Sequence, residues 1–397
     1  MQLLTSNHMK LIEVNDKRSV REFIQLPVGL YSDNPYWIRP LDKDIHQVFD
    51  PKKNKSFRHG SCQRWLLEKN GKYIGRIAAF VNEKTARKDN EQPTGGVGFF
   101  ECIDDQDAAN YLFDTAKKWL EERGMEAMDG PINFGDRNAW WGLLVDGFDI
   151  EPNYQCNYQA PYYQKLFENY GFQVYFKQFT FGRKVLDPLA EVNFDKAQNI
   201  LDDPRYSFRH MKMKKSDEYA EYFRTVYNAA WAGHSGVAAM NSAQAKNVMK
   251  QLKPIMDEKV IMFGFFDDKP IAFFVNIPEM NQIFKRLNGK LDLPGKLKFV
   301  LYHKILKVNR KLMGLVFGID PEHHGKGVDA AIILAFRKMV QDDYKQYDDF
   351  EMNWIGDFNP KMINVAKRVG GKVIKTHHTY RYLFDPNKEF KRMPIKG

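Results

Sequence analysis

Only three cysteines, Cys62, Cys102 and Cys156, occur in 397 residues, and no two of them form a C-x-x-C pair. So few and so unevenly spaced, they indicate neither a disulfide framework nor a thiolate metal site, and they fit a reducing compartment. Long apolar runs are missing too: nowhere do about 18 apolar residues follow one another. The opening "MQLLTSNHMKLIEVNDKRSV" has no apolar core behind a basic start. The chain is therefore expected to be soluble, cytoplasmic and not exported. Neither a G-K-[ST] P-loop nor a G-x-G-x-x-G fingerprint occurs, which argues against the common nucleotide cradles. The pairs His323-His324 and His377-His378 lack a carboxylate at ligand spacing, and adjacent histidines rarely reach one ion, so no metal is expected.

What is present is a globular composition, 43% hydrophobic and 14% aromatic. At about 150 residues per domain the length favours two domains or three. Two halves show the same order of elements. In the first, apolar runs flank Asn70-Gly71 as in a hairpin, "GGVGFFECIDD" reads as a buried strand and "DAANYLFDTAKKWLEERG" as an amphipathic helix closed by Gly124. A short helix stopped by Gly171 and the strand "QVYFKQFTFGR" follow. The second half repeats this order, from "SFRHMKMK" to the last strand "KVIKTHHTYRYLF". Such alternation predicts a mixed α/β sheet in each half. A polar stretch at 186–206, with Pro188 and Pro204, reads as the linker, giving domains 1–190 and 191–397.

The strongest chemical signal is "FGIDPEHHGKGVDAAIILAF", residues 317–336. Val328, Ile332, Phe336 and Met339 share one helical face, so a helix starts close to residue 327 and Gly325 and Gly327 lie in the turn that opens it. Glycines there permit positive φ and close approach of backbone N–H groups to an oxyanion, and the first helical turn favours negative charge. Lys326 adds a cation. Alone, Gly-Lys-Gly is also what an ordinary strand-to-helix turn contains.

The order strand, "PEHHGKGVDAAII", strand, "FNPKMINVAKRVGG", strand resembles the GCN5-related N-acetyltransferase (GNAT) superfamily, and in particular its bacterial tandem proteins. Members bind acyl-CoA with a [Q/R]-x-x-G-x-[G/A] loop. Here that pattern falls on His324, Gly327 and Asp329, with Gly325, Lys326 and Val328 between, so two of its positions depart from the usual residues. The resemblance implies two tandem α/β (α+β) acyltransferase-fold domains, each a mixed, mostly antiparallel sheet flanked by helices. It implies acetyl-CoA or a longer acyl-CoA as co-substrate, with Asn359 contacting the pantetheine arm and a backbone N–H near Gly318 or Ile319 stabilising the oxyanion. Ala366 stands where many members carry a tyrosine acid, which leaves Tyr380, Tyr382 or a residue of the other half for that role. In the first half "IDDQDA" puts acids where a phosphate would sit, so that half is expected not to bind CoA.

The acceptor side is less defined. "WAGHSGV" falls where acceptor loops lie in this fold, making Trp231 a binding candidate and His234 a candidate base; an exposed loop histidine without a role is the alternative. "DGPINFGDRNAWWGLLVDGFD", residues 129–149, interleaves Asn133, Asp136 and Asn138 with Trp140 and Trp141, either to shape an acceptor pocket or to pack between the halves. Glu101 is an acid on an apolar strand, hence paired or functional. Nine Lys/Arg and one acid, Asp292, between Lys285 and Lys311 give that segment +8 of the chain's +10. It suits an acidic carrier protein or a membrane surface, or is a solvated helix face; few aromatics interleave, so nucleic acid is not favoured. The function expected is acyl transfer from acyl-CoA to a small-molecule or lipid-linked amine held between the domains. The alternatives are a non-catalytic CoA- or ligand-binding protein, or a transferase drawing on an acyl carrier protein or aminoacyl-tRNA.

Overall fold

Asn70 and Gly71 both adopt positive φ, 54° and 76°, and the turn they make sets β2 (Gly60–Lys69) against β3 (Lys72–Asn82) from Lys69↔Lys72 onward. The same logic recurs at Asp267 and Asp268, φ 46° and 59°, which join β9 (Ile261–Phe266) to β10 (Lys269–Pro278). A computed structural model describes residues 9–88, 90–189, 194–231, 239–342 and 344–395. Its remaining strands are β1 (Met9–Glu13), β4 (Thr94–Cys102), β5 (Ala127–Gly130), β6 (Leu143–Asp146), β7 (Gln173–Lys184), β8 (Tyr206–His210), β11 (Lys311–Ile319), β12 (Asp349–Gly356) and β13 (Lys372–Leu383). The proposed division at 190 falls beside residues outside this description.

The two sheets join edge to edge in the order β1-β2-β3-β4-β5-β13-β7-β12-β11-β10-β9-β8, with β6 beside β13. Among the described strand pairings only β4–β5 and β11–β12 are parallel. The seam is an exchange. β13, the last strand of the second half, inserts between β5 and β7, while β7, the last strand of the first half, pairs with β12. Each half thus borrows its partner's final strand.

Helices cover both faces. Gln106–Glu121 and Tyr163–Tyr170 bury Leu112, Phe113 and Phe167 against Phe100 of β4. In the second half Val328–Asp342 and Phe194–Asp202 pack on one face, and Ser216–Trp231 with Ser242–Leu252 on the other. Phe194–Asp202 lies inside the stretch whose polarity read as a linker; Ala197 and Ile200 bury its inner side against the helix Val328–Asp342. Only that narrow stripe is apolar, so composition alone concealed it.

Candidate active site

β11 and β12 pair only from Lys311↔Asp349 to Gly314↔Met352. Beyond that β10 holds β11 as far as Ile319, and β7 holds β12 as far as Gly356, so the two strands part. Register shifts at Val275/Asn276 and at Met352/Ile355 bend them away from each other. The gap opens into an apolar cavity, open to solvent on one side, whose walls include Phe274, Leu315, Phe317, Ile333, Phe336 and Met362. Asn353, Arg183 and Arg337 supply its polar margin. Arg183 donates to the carbonyls of Val369 and Asp187, and Arg337 to that of Leu186 at 2.9 Å, so both guanidiniums tie the chain across the cavity's end.

The loop beyond β11 makes one 3-10 turn, Pro321–His323, and then the helix Val328–Asp342 begins. Gly325 and Gly327 have φ of 73° and 99°, a region costly for any residue with a Cβ. Open space surrounds Gly325, whereas a Cβ on Gly327 would lie 3.0 Å from Lys196 Cβ. The first intrahelical bond is Ala331 N–H to Gly327 O at 2.9 Å. The N–H groups of Val328, Asp329 and Ala330 therefore have no acceptor within the helix, and Gly327 has no side chain to cap them. Lys326 is exposed beside them, and Asp329 is exposed on the first turn. His324 folds back, its Nε2 3.1 Å from the Ile319 carbonyl.

Asp320 N–H bonds Ile271 O at 2.8 Å, and β11 residues alternate from there. Gly318 accordingly turns its backbone groups to β10, and Ile319 and Phe317 turn theirs to the gap. Of the two expected oxyanion donors the geometry keeps Ile319. Gly318 is needed for packing, because a Cβ there would meet Phe273 at 2.7 Å and Trp231 at 2.8 Å. Trp231 ends its helix stacked over that position, on the opposite face from the cavity's aromatics. Asn359 caps the helix Pro360–Arg368, accepting from Met362 N–H at 3.2 Å.

Other expected residues fall elsewhere. His234 lies outside the described residues. Tyr380 is not brought to the gap: strand exchange carries it to β5, where it is fully buried against Phe167 and donates to Glu168 at 3.0 Å. Burial and that carboxylate push its phenol far above the usual range. Asn133 and Asp136 serve a local turn, in which Asp136 accepts from Asn138 N–H at 2.9 Å and Asn133 donates to Asp136 O at 3.2 Å. Asn138 alone of the three reaches a cavity, a small one shared with Trp140, Trp141, Cys156 and Trp354.

Sequence reading missed a buried polar knot beside the gap. Glu351 of β12 bridges Lys311 at 2.6 Å and Lys375 at 2.9 Å and accepts from Asn153 at 2.7 Å. Burial pushes its carboxyl up, but the two ammonium groups prevail and hold it below the usual range. Asn153 also reaches Asn353, which donates to Cys156 Sγ at 3.0 Å. Like Glu101, Glu351 is an acid in an apolar strand, and that signal was available.

Glu101 itself accepts from Tyr31 at 2.6 Å and Tyr163 at 3.0 Å and lies 3.6 Å from Arg76. Burial still raises its carboxyl. It lines a second, narrower cavity with Arg76, Trp37, Phe99, Trp140 and Cys156. Cys156 and Trp140 line both smaller cavities, and Asn353, which lines the gap, bonds Cys156, so one layer of side chains separates the gap from them.

No family model matches the chain. It is 27% identical over 380 residues to a bacterial ceramide synthase of Caulobacter vibrioides, covering 95% of this chain and 98% of that one. It is 27% identical over 376 residues to protein YghO of Escherichia coli, covering 92% and 93%. Among solved structures it is similar to a GCN5-related glucosamine N-acetyltransferase region of a fungal multi-domain GH3 beta-N-acetylglucosaminidase, with TM-score 0.52, 11% identity and 96% of this chain but 38% of that chain covered. A tandem GNAT protein from the clavulanic acid biosynthesis pathway matches with TM-score 0.50 and 10% identity, covering 96% of this chain and 100% of its own. Two halves with parted parallel strands, laid end to end in one sheet, make the fold of this chain that of the tandem GCN5-related N-acetyltransferases.

Proposed function

We propose that the chain is an N-acyltransferase that takes the acyl group of an acyl-CoA into the gap between β11 and β12 and delivers it to a long-chain amine. One observation carries this reading: the gap lies between a glycine-flanked helix start, with no side-chain cap among the described residues, and an apolar cavity walled by Phe274, Phe317 and Phe336. The residues suit the co-substrate. The N–H groups of Val328, Asp329 and Ala330, with Lys326, offer donors and positive charge for a pyrophosphate, and the backbone groups of Phe317 and the Ile319 N–H, which face the gap, suit a pantetheine amide. Bound there, the co-substrate supplies a carbonyl activated as a thioester. The Ile319 N–H is the chain's donor toward charge developing on that carbonyl oxygen.

The amine acceptor belongs in the Glu101 cavity, which Asn353 and Cys156 separate from the gap. Its walls are mixed, with Ile24, Trp37, Ile45 and Phe99 beside Arg39, Asp42, Asn157 and Gln159, and Glu101 and Arg76 are buried within it. A raised carboxyl there is poised to hold an ammonium and accept its proton. A ceramide is the amide of a fatty acid with a long-chain amino alcohol, so the relative's name agrees with an apolar donor slot and an amine acceptor. The three cysteines are free, in keeping with a cytoplasmic setting.

The test combines binding and turnover. Acyl-CoA should raise the thermal midpoint of the wild type, and Lys326→Glu and Leu315→Trp, both at exposed positions, should each weaken binding about tenfold or more. Mass spectrometry should find an N-acyl long-chain base with one free CoA thiol per amide. Equal shifts in all three proteins would remove the gap from the site. A second reading, a CoA-binding protein without turnover, draws on Ala366, buried against Phe181 and Ile355, and on the diversion of Tyr380. Binding with no amide from a panel of long-chain amines would select it.

A further inference from the structure

We propose that the helical segment Leu293–Ile305 is a docking face for an anionic lipid bilayer. It comprises the helix Leu293–Val300 and a wider turn, Leu301–Ile305. Its inner side is fixed: Phe299 stacks 6.0 Å from Phe284, His303 follows at 5.3 Å, and Gly295 is buried because a Cβ there would meet the Lys290 carbonyl. The outer side is aliphatic. Leu293, Leu297, Val300, Leu301, Ile305 and Leu306 are between 40% and 72% exposed, and they account for six of the 15 exposed large apolar side chains among the described residues. Spaced at 0, 4, 7, 8 and 12 residues from Leu293, the first five form one stripe on a helix. No cost-free reason places such a stripe in water.

Charge identifies the partner. Lys296 and Lys298 fall on opposite flanks of the stripe, with Lys290, Lys304 and Lys307 beyond, and all five are exposed. Among the described residues Lys290, Lys296 and Lys298 make no ion pair, while Lys285, Arg310 and Lys311 of the same basic run are spent on Glu151, Asp348 and Glu351. Asp292 is spent as well, accepting from Gly295 N–H at 3.0 Å. Aliphatic side chains outward with lysines on both flanks suit acyl chains and headgroup phosphates. A protein-binding hot spot is instead built on aromatics and arginine, with lysine depleted. No helix among the described residues is long and apolar enough to cross a membrane, so the contact would be made along the surface.

The face also adjoins the cavity wall. Gly289 O accepts from Asp42 N–H at 2.9 Å, Leu41 packs with Ile283 and Leu287, and Arg39 and Asp42 line the Glu101 cavity. Resting on the acyl-transfer reading, this places a lipid surface at the side from which an amphiphilic amine would enter. The docking itself does not depend on that reading.

Co-sedimentation with phosphatidylcholine vesicles, alone or mixed with phosphatidylglycerol, tests it without acyl-CoA. The full chain should pellet with the anionic vesicles, and added salt should weaken the binding. The double variants Leu297→Glu/Leu301→Glu and Lys296→Glu/Lys298→Glu should each bind roughly tenfold less or weaker, with thermal midpoints unchanged because all four side chains are exposed. Failure of the wild type to pellet, or wild-type binding by either variant, would overturn the proposal. So would a lipid-free dimer abolished by Leu297→Glu/Leu301→Glu, which would give the face to a second copy.

Discussion

Each half of the molecule contains one parallel strand pair that parts, and the two gaps have opposite fates. β4 and β5 pair from Thr94↔Ala127 to Gly96↔Asp129 and then separate, as β11 and β12 do. In the first half the chain fills its own gap: Ile132 N–H bonds Val97 O at 2.8 Å, and Ile132, Phe134 and Trp140 pack behind it. Gly98 must be glycine, since a Cβ would overlap the Ile132 carbonyl at 1.9 Å. The helix beyond is closed too, because the Asp105 carboxylate accepts from Asp107 N–H at 3.0 Å and Ala108 N–H at 3.2 Å and pairs with Lys69 at 3.1 Å. In the second half both places are open. One topology thus yields a packed scaffold when a side chain and a carboxylate fill it, and an open gap when glycines stand there instead.

The largest effect is expected at the joint that keeps the open gap from spreading. Glu351 ties β11 to β12 and β13 through Lys311 and Lys375. Glu351→Gln leaves two ammonium groups without their anion and should cost about 3–5 kcal/mol in denaturant unfolding. Because the folded carboxyl sits below its unfolded value, its contribution is complete above that unfolded value and fades as pH falls through the folded one. The wild type should therefore lose stability on acidification below the ordinary glutamate range, and the variant should lose less. Parallel acid curves for the two proteins would show that the knot is not holding the joint.

Next comes the filled gap. Ile132→Ala should cost about 3 kcal/mol and leave the acyl-CoA-induced thermal shift unchanged, since that shift would arise in the other half. A variant that lost the shift while still folded would break the comparison, by making the first gap part of the binding site.

Much of this contrast was legible in the sequence, where the signals are local. Asn70-Gly71, the glycine after each helix and the 3.6-residue spacing of Val328, Ile332 and Phe336 each act within a few residues, and the structure places those elements where they were expected. The exchange of β7 and β13 was not legible, because an alternating strand carries no mark of which neighbour it will join. Tyr380, one of the alternatives left once Ala366 stood in the tyrosine's place, is delivered by the exchange to the other half. The basic run at 285–311 was visible as charge, but which side of its helix is buried depends on Phe284 and Leu287 receiving Phe299. Asn133 and Asp136, read as candidates for an acceptor pocket from residue type, make hydrogen bonds within a local turn, a role that short polar side chains also serve.

The smallest effect sharpens the comparison most. Asp105→Ala removes a helix cap and should cost about 1 kcal/mol, read from the urea midpoint. It also bares the N–H groups of Asp107 and Ala108, giving the first half an uncapped helix start like that of the second. If an uncapped start were sufficient for binding, this variant would gain a second acyl-CoA equivalent, visible in native mass spectrometry. The expected count stays at one, because Ile132 still occupies the gap through which the rest of the ligand would have to pass. A count of two would place the whole distinction between the halves in a single carboxylate; a count of one places it in the strands.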